Sequence, residues 1–560
     1  MKTRLFQFKS FCFIIFCFIS TTVNSTNYFS DPINGSMNNS GSSQSPWSSL
    51  NLVFQAKKQF AAGDTIFLRN GNHGYAVITG VNTDFVVITP EPGQSPVINR
   101  IRVSDPANSI SANYWKLYKL TVQSEATGKS AVPSYPLIEI WPLATNITVS
   151  SCLVTSNLNT ASWTRDDWRN RCNNGIHTRA KLNSNYIIEN NVIKNTAFSL
   201  AISSSNTIVR GNTIQYFTND ANRILGSDIL YENNKTADII KVMTVLENHD
   251  DLFQGFTTKS GGEGVDTLKN VIVRKNIFIT CTDTTRTFRG TTQGLGMFDG
   301  PFYNWTVENN IVLVDHWHGI SFYGGINCKI INNTVLDPYP YTPYNSYDNN
   351  STTTGPAWIF IGQKSTTIPS VNNIVRNNLV HNTVSIGSVS MGTASNNIIV
   401  GTINNFKNYF VDATDLSNPE KFDLHLKPGC NAIDAGDATY APATDFDGIS
   451  RPQGLKCDIG AYEYVVPNAI SEIDGSIKQI SISPNPFTNE ISIQSTNGFI
   501  KGDKIQVYTI GGQLVYSNTL TNTTQKIQLN NLSDFPTGLL LLKIEDLSGL
   551  KYASKLIKKD

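Results

Sequence analysis

Two short stretches concentrate side chains able to move protons. Asn248-His249-Asp250-Asp251, followed by Gln254, sets an imidazole beside two carboxylates. Adjacent like charges at such a corner need a cation, a metal or a shared proton to compensate them. Asp315-His316-Trp317-His318-Gly319 carries two histidines two residues apart, whose side chains face the same way in a strand. The chain has only 7 His, so the presence of His249, His316 and His318 in these two stretches favours a site over scattered surface imidazoles. Gln293-Gly294-Leu295-Gly296-Met297-Phe298-Asp299-Gly300 adds a further carboxylate among glycines. The plainer alternatives are an Asn/Asp-rich turn that satisfies its own backbone and a passive histidine pair.

What must position these residues is a repeat. Tyr186-Ile187-Ile188-Glu189-Asn190-Asn191-Val192-Ile193 returns as Thr207-Ile208-Val209-Arg210-Gly211-Asn212-Thr213-Ile214, and again as Trp305-Thr306-Val307-Glu308-Asn309-Asn310-Ile311-Val312. Each copy reads as two short strands hinged at Asn or Gly, residues that tolerate a left-handed backbone. One coil cannot bury its apolar side alone, whereas stacked coils make a continuous core with Asn side chains laddered between turns. The pattern predicts an all-β fold: a right-handed parallel β-helix over 81–466, preceded by a cap over 26–80 that includes an amphipathic helix from Leu50 to Phe60. The run from Ile433 through Asp458-Ile459-Gly460-Ala461-Tyr462-Glu463-Tyr464 is expected to close the last coils.

A site on such a scaffold is a column assembled from successive coils. Aligning the strand ahead of each Asn corner stacks Gly175-Ile176-His177-Thr178-Arg179, Ser199-Leu200-Ala201-Ile202, Asn222-Arg223-Ile224-Leu225, Leu252-Phe253-Gln254-Gly255, Gly294 to Asp299 and Gly319-Ile320-Ser321-Phe322-Tyr323. Its outward and flanking positions collect His177, Arg179, Asp220, Arg223, His249, Asp250, Asp251, Gln254, Asp299, His316, His318 and Tyr323. Residues 226–247, 257–270, 280–292 and 337–356 interrupt the period, and insertions on one face of a rigid scaffold build a cleft.

The composition, with 44 Lys+Arg against 43 Asp+Glu, excludes a nucleic-acid binder working through net charge. Residues 1–25 read as a secretory leader, with Lys2, Arg4 and Lys9 ahead of an apolar run and a small-residue cleavage site at Val23-Asn24-Ser25. After the leader, Cys430 and Cys457 are a candidate disulfide pair in an oxidising compartment. Beyond Pro467 the composition shifts to alternating strands. Ser483-Pro484-Asn485-Pro486-Phe487, Gly511-Gly512-Gln513-Leu514-Val515, Pro536-Thr537-Gly538-Leu539 and Lys555-Leu556-Ile557-Lys558-Lys559 resemble the C-terminal sorting domain of the type IX secretion system of Bacteroidetes. That resemblance implies a small C-terminal β-sandwich over 467–560, handling by the type IX machinery, and a secreted or outer-membrane surface location.

The His-Asp-Asp-x-x-Gln corner, the Gln293–Gly300 stretch and the His-Trp-His-Gly stretch together resemble bacterial β-helix proteins related to polysaccharide lyases. The resemblance implies a polysaccharide substrate, alginate or pectin among the acidic ones, handled by a monomer. For β-elimination, Arg223, Arg179 or Lys259 would neutralise the uronate carboxylate, His249 or His318 would take the C5 proton, and Tyr323 would assist or protonate. For hydrolysis, Asp250 or Asp251 would face Asp299 as an acid and base pair. His177, Gln254, His316 and Trp317 would contact substrate beside them. Calcium is a third use of the carboxylates. A non-catalytic glycan-binding solenoid is the remaining alternative, against which stands the concentration of His, Asp and Arg in a few central coils.

Overall fold

The computed structural model describes residues 25–124, 135–242, 250–259, 262–263, 267–285, 287–339, 355–366, 368–465, 480–509, 513–546 and 549–559. The leader reading and His249 lie outside these, apart from Ser25. The chain divides into two compact units, Met1–Tyr464 and Val465–Asp560.

Most of the first unit is a right-handed parallel β-helix whose faces are sheets of 13, 11 and 12 strands. Inward rows run from coil to coil in register. One of them, in the 11-stranded sheet, passes through Ile140, Thr178, Ile202, Ile224, Gly255, Met297, Phe322, Ile361 and Ile386. Most of these side chains join one continuous apolar core. Burial of such rows drives coil stacking, because each coil alone leaves half its apolar surface in water.

The corner between the 13- and 12-stranded sheets holds the predicted ladder. Asn191, Asn212, Asn234, Asn276, Asn310, Asn333, Asn378 and Asn397 pass hydrogen bonds from each side-chain amide to the next side-chain carbonyl, at 2.9–3.1 Å. Each Asn is preceded by a left-handed residue, as at Asn190, Gly211, Asn233, Lys275, Asn309, Asn332, Asn377 and Asn396. Gly211 is needed for a second reason, since a Cβ there would lie 2.4 Å from Oδ1 of Asn190.

Several expectations shift in detail. Parallel pairing reaches back to Asn27–Ser30 and Thr65–Leu68, so the coils begin inside the segment read as a cap. The capping helix α1 spans Leu50–Gln55 and buries Leu50, Val53 and Phe54; Ser49 precedes it without a side-chain cap bond. Residues Ile229–Glu232 and Lys235–Ile239 are regular rungs rather than part of an insertion. An insertion not foreseen carries helix α2, Arg165–Arg171, closed by a Thr164/Asp167 capping box. The run 432–464 lies along the ladder corner instead of closing an end: Asn309, Asn332 and Asn377 on successive coils donate to the carbonyls of Thr444, Asp458 and Asp437. Its buried Arg451 pairs with Glu463 at 2.6 Å. Cys430 and Cys457 are free thiols, which corrects the disulfide expectation.

The second unit holds two antiparallel sheets of three and four strands between Ile480 and Lys558. Phe487, Ile491, Ile493, Ile505, Val507, Leu540, Leu542 and Leu556 form their shared apolar core.

Replacing Asn310 by Ala removes the Nδ2 bonds to Val273 O and Asn333 Oδ1, orphans the Asn276 backbone N–H and leaves the Asn276 side-chain amide only its bond to Tyr231 O. The expected loss is about 3 kcal/mol or more, read from chemical denaturation, with secondary structure retained at low denaturant.

Candidate functional site

The outward face of the 11-stranded sheet carries one long row. In register it runs Arg102, Glu139, His177, Ala201, Arg223, Gln254, Gly296, Ser321 and Phe360. The column aligned from sequence is therefore the physical one from His177 to Ser321. Neighbouring members are about 4.8 Å apart, so Arg223 to Ser321 spans about 14 Å.

The centre of the row is a charged cluster. Arg223 donates through Nε to Oδ2 of Asp220 at 2.8 Å, and its guanidinium lies 3.8 Å from the Phe198 ring centroid. Oδ1 of Asp220 accepts the backbone N–H of Asp251 at 3.0 Å. Oδ2 of Asp251 accepts from Gln254 Nε2 at 3.0 Å, whereas Oδ1 is buried and has no hydrogen-bond partner among the described residues. A Cβ added at Gly296 would lie 2.6 Å from that Oδ1 and 2.3 Å from the Phe298 ring, so glycine there keeps room for the carboxyl.

Asp250 turns away from this cluster to Lys241, an ion pair at 2.6 Å with both side chains almost fully buried. Among the described residues, the carboxyls of Asp220, Asp250 and Asp251 lie with the cations Arg223 and Lys241. Burial, with Asp220 and Asp250 as like charges, pushes the Asp251 carboxyl well above its usual range. Burial also raises Asp220, with Arg223 opposing it. The protonated form of Asp251 is favoured in this setting.

Two coils further on, aromatic side chains surround His318. His316 and His318 stack with centroids 5.3 Å apart, and His316 Nδ1 accepts the His318 backbone N–H at 3.0 Å. His318 Nδ1 and Ser321 Oγ are 2.8 Å apart. Phe298 lies 5.1 Å from the His318 ring and 5.7 Å from Tyr323, while His318 and Tyr323 are 6.3 Å apart. Trp317 and Trp358 stack in parallel at 5.7 Å, both half-buried, and Phe360 lies 5.3 Å from Tyr323. Burial raises the Tyr323 phenol, and the nearby Lys364 ammonium opposes that rise.

Other sequence candidates are placed apart. Asp299 pairs with Lys364 and lies in register with Phe256, five residues along the strand from Asp251 and thus about 16 Å away. The expected facing of Asp299 by Asp250 or Asp251 is not what the register builds: the carboxyl beside Asp251 is Asp220. His177 contacts the Phe198 carbonyl at 3.2 Å, and burial lowers its pKa to about 4. Arg179 pairs with Glu139. Lys259 lies in the short hairpin Thr258–Lys259/Gly262–Glu263. Among the described residues, no group of three or more His, Cys, Asp or Glu side chains is arranged to hold a metal ion.

Sequence reasoning missed Lys241, Glu139, Phe298, Trp358, Phe360 and Lys364 as neighbours of the candidates. For Trp358 and Phe360 a signal existed, because Trp358-Ile359-Phe360-Ile361-Gly362 continues the aligned column by one coil.

The model for the secretion system C-terminal sorting domain matches residues 481–559. The protein is exported by the type IX route to the cell surface or the extracellular space. No curated protein sequence matches the chain. Among solved structures, pectate lyase Pel9A is similar at 12% identity and TM-score 0.40, covering 79% of this chain and 98% of that one. The Dettilon tailspike protein is similar at 10% identity and TM-score 0.38, covering 91% and 87%. The mannuronan C-5 epimerase AlgE6 A-module of Azotobacter vinelandii is similar at 12% identity and TM-score 0.35, covering 62% and 88%. Residue roles rest on this chain's own geometry.

Two outcomes follow from the buried charges. Lys241→Met removes the ammonium from the buried Asp250 carboxylate and should cost about 3–5 kcal/mol in denaturant titration, whereas Lys241→Met with Asp250→Leu should lose less. Asp315, beside His316, is buried and its pKa rises from 3.8 to about 7. The folded state therefore holds a proton that the unfolded state releases, and this group's contribution to stability falls as pH rises from about 4 through 7. Asp315→Asn should gain thermal stability over the parent progressively across that window and hold the difference above it.

Proposed function

We propose that the protein is a secreted polysaccharide lyase that cleaves an acidic, uronate-bearing polymer by β-elimination. The observation that carries this reading is the grouping of His318, Tyr323 and Lys364 beside the parallel Trp317–Trp358 pair on the outward face. Elimination needs a cation for the uronate carboxylate, a base for the C5 proton and an acid for the leaving oxygen. Lys364 supplies the cation, with Asp299 holding its ammonium at the rim. His318 takes the proton, its ring oriented by Ser321. Tyr323, kept protonated by burial, donates to the departing oxygen. The indole pair offers apolar faces to sugar rings.

A second reading is favoured by one specific observation, the contact of Asp251 with Asp220. A buried carboxyl pushed well above its usual range, with one oxygen unpartnered among the described residues, next to a second carboxyl paired with arginine, suits a general acid and base and would support hydrolysis.

The two readings separate in one assay. The mature protein incubated with alginate, polygalacturonate and glycosaminoglycans is expected to generate the ultraviolet absorbance of an unsaturated uronate. His318→Ala and Tyr323→Phe should each lower that rate at least 100-fold with circular dichroism unchanged. New reducing ends without the absorbance, lost in Asp251→Asn, would replace elimination by hydrolysis.

A further inference from the structure

The same outward row that passes Arg223 continues four coils towards the N-terminus, to Arg102, about 19 Å away. There a second polar group is built from residues of four successive coils. Glu139 accepts from Arg100 at 2.8 Å and from Nε of Arg179 at 2.9 Å, and its side chain is only 1% exposed. Arg102, in register with Glu139, has no carboxylate partner among the described residues. Its guanidinium is held over two rings instead, 4.6 Å from Trp141 and 5.8 Å from Tyr75. Arg100 lies over Tyr135 at 4.6 Å.

Among the described residues, three arginines against one carboxylate leave two positive charges in excess. The imidazole of His177, next in the row, adds none near neutrality because burial holds its pKa at about 4. The group is also under-satisfied: Nε of Arg100, Nε of Arg102 and the Tyr75 hydroxyl are buried without hydrogen-bond partners among the described residues. Buried donors left unpaired are costly, and a cation fixed between aromatic rings is pre-paid in side-chain entropy. A ligand that brings oxygen acceptors and negative charge together with an apolar ring face answers each of these features. A neutral glycan would meet the rings and leave the charge excess unanswered.

We propose that Arg102, with Arg100, Arg179, Tyr75 and Trp141, forms a distal subsite for a carboxylate-bearing sugar of the polymer, several units from the point of cleavage. The inference rests on the lyase reading for its substrate class and deepens it by setting the polymer along the solenoid axis. Arginine suits the role because its planar fork pairs with a carboxylate while stacking on an aromatic face.

The test is retention of the full mature chain in gels containing alginate, polygalacturonate or neutral dextran, at low and high salt, in the unmodified chain and in a His318→Ala background. Retention by the two acidic polymers and not by dextran is expected, weakening with salt. Arg102→Gln should weaken it about tenfold, and Arg102→Lys should weaken it less. Arg179→Gln, a change at a half-exposed side chain, should also weaken it, so the outcome does not depend on Arg102→Gln folding. Arg210→Gln, which removes an equal charge from the 13-stranded sheet, should leave retention unchanged. Equal retention of the parent, Arg102→Gln and Arg179→Gln would overturn the subsite, as would equal retention by dextran or none by either acidic polymer. Arginine-dependent retention in a chain that yields no unsaturated product would uphold the subsite and overturn the lyase reading instead.

Discussion

Everything on the outward face depends on the coil-to-coil register held by the asparagine ladder. Each rung binds the next through two hydrogen bonds, one to its backbone N–H and one to its side-chain amide. The sequence distance between rungs varies, from 19 residues between Asn378 and Asn397 to 45 between Asn333 and Asn378, yet the ladder is unbroken. Insertions are therefore expelled from the coil without shifting the strands that follow. A one-residue slip would reverse every side chain, and a ladder of buried amides makes that slip expensive.

With register fixed, chemistry becomes a matter of which residues stand next to each other in a row. The central cluster shows how strongly burial then acts. In water, Asp220, Asp250 and Asp251 would all ionise; here burial and the like charges of Asp220 and Asp250 push the Asp251 carboxyl well above its usual range. Lys241 is itself bound into the site by packing, since a Cβ at Gly290 would lie 2.5 Å from its Cβ. The aromatic group around His318 is less charged and more open, with Trp317, His318, Tyr323, Trp358 and Phe360 only partly buried. The two groups share one face at a distance suited to a polymer rather than a small molecule, and the basic group at Arg102 extends that face further.

Much of this was legible in the chain. The repeated strand-Asn-Asn pattern identifies both the fold and its corner, because Asn and Gly recur where a left-handed backbone is required, Lys275 being the exception in the ladder. Alignment of the strand ahead of each corner also brings His177, Arg223, Gln254 and Ser321 into one row, since those strands keep the same alternation of inward and outward residues although the length from strand to corner varies. The pairing of Asp251 with Asp299 was not legible correctly: both are carboxylates in adjacent coils, but their offset along the strand, with a bulge between, separates them. Lys241 and Lys364 were missed because they sit in connections whose length carries no periodic signal.

The sequence by itself determined the solenoid, its axis of stacking, the export route and the residue types offered to solvent, because periodicity and composition are local properties that any coil must repeat. Only the tertiary structure decided which charges meet. Asp250 goes inward to Lys241 and Asp251 stays at the face; Glu139 gathers Arg100 and Arg179 and leaves Arg102 to the aromatic rings. Those choices follow from contacts between residues tens of positions apart, where burial and the nearest opposite charge set the outcome and no sequence period records them.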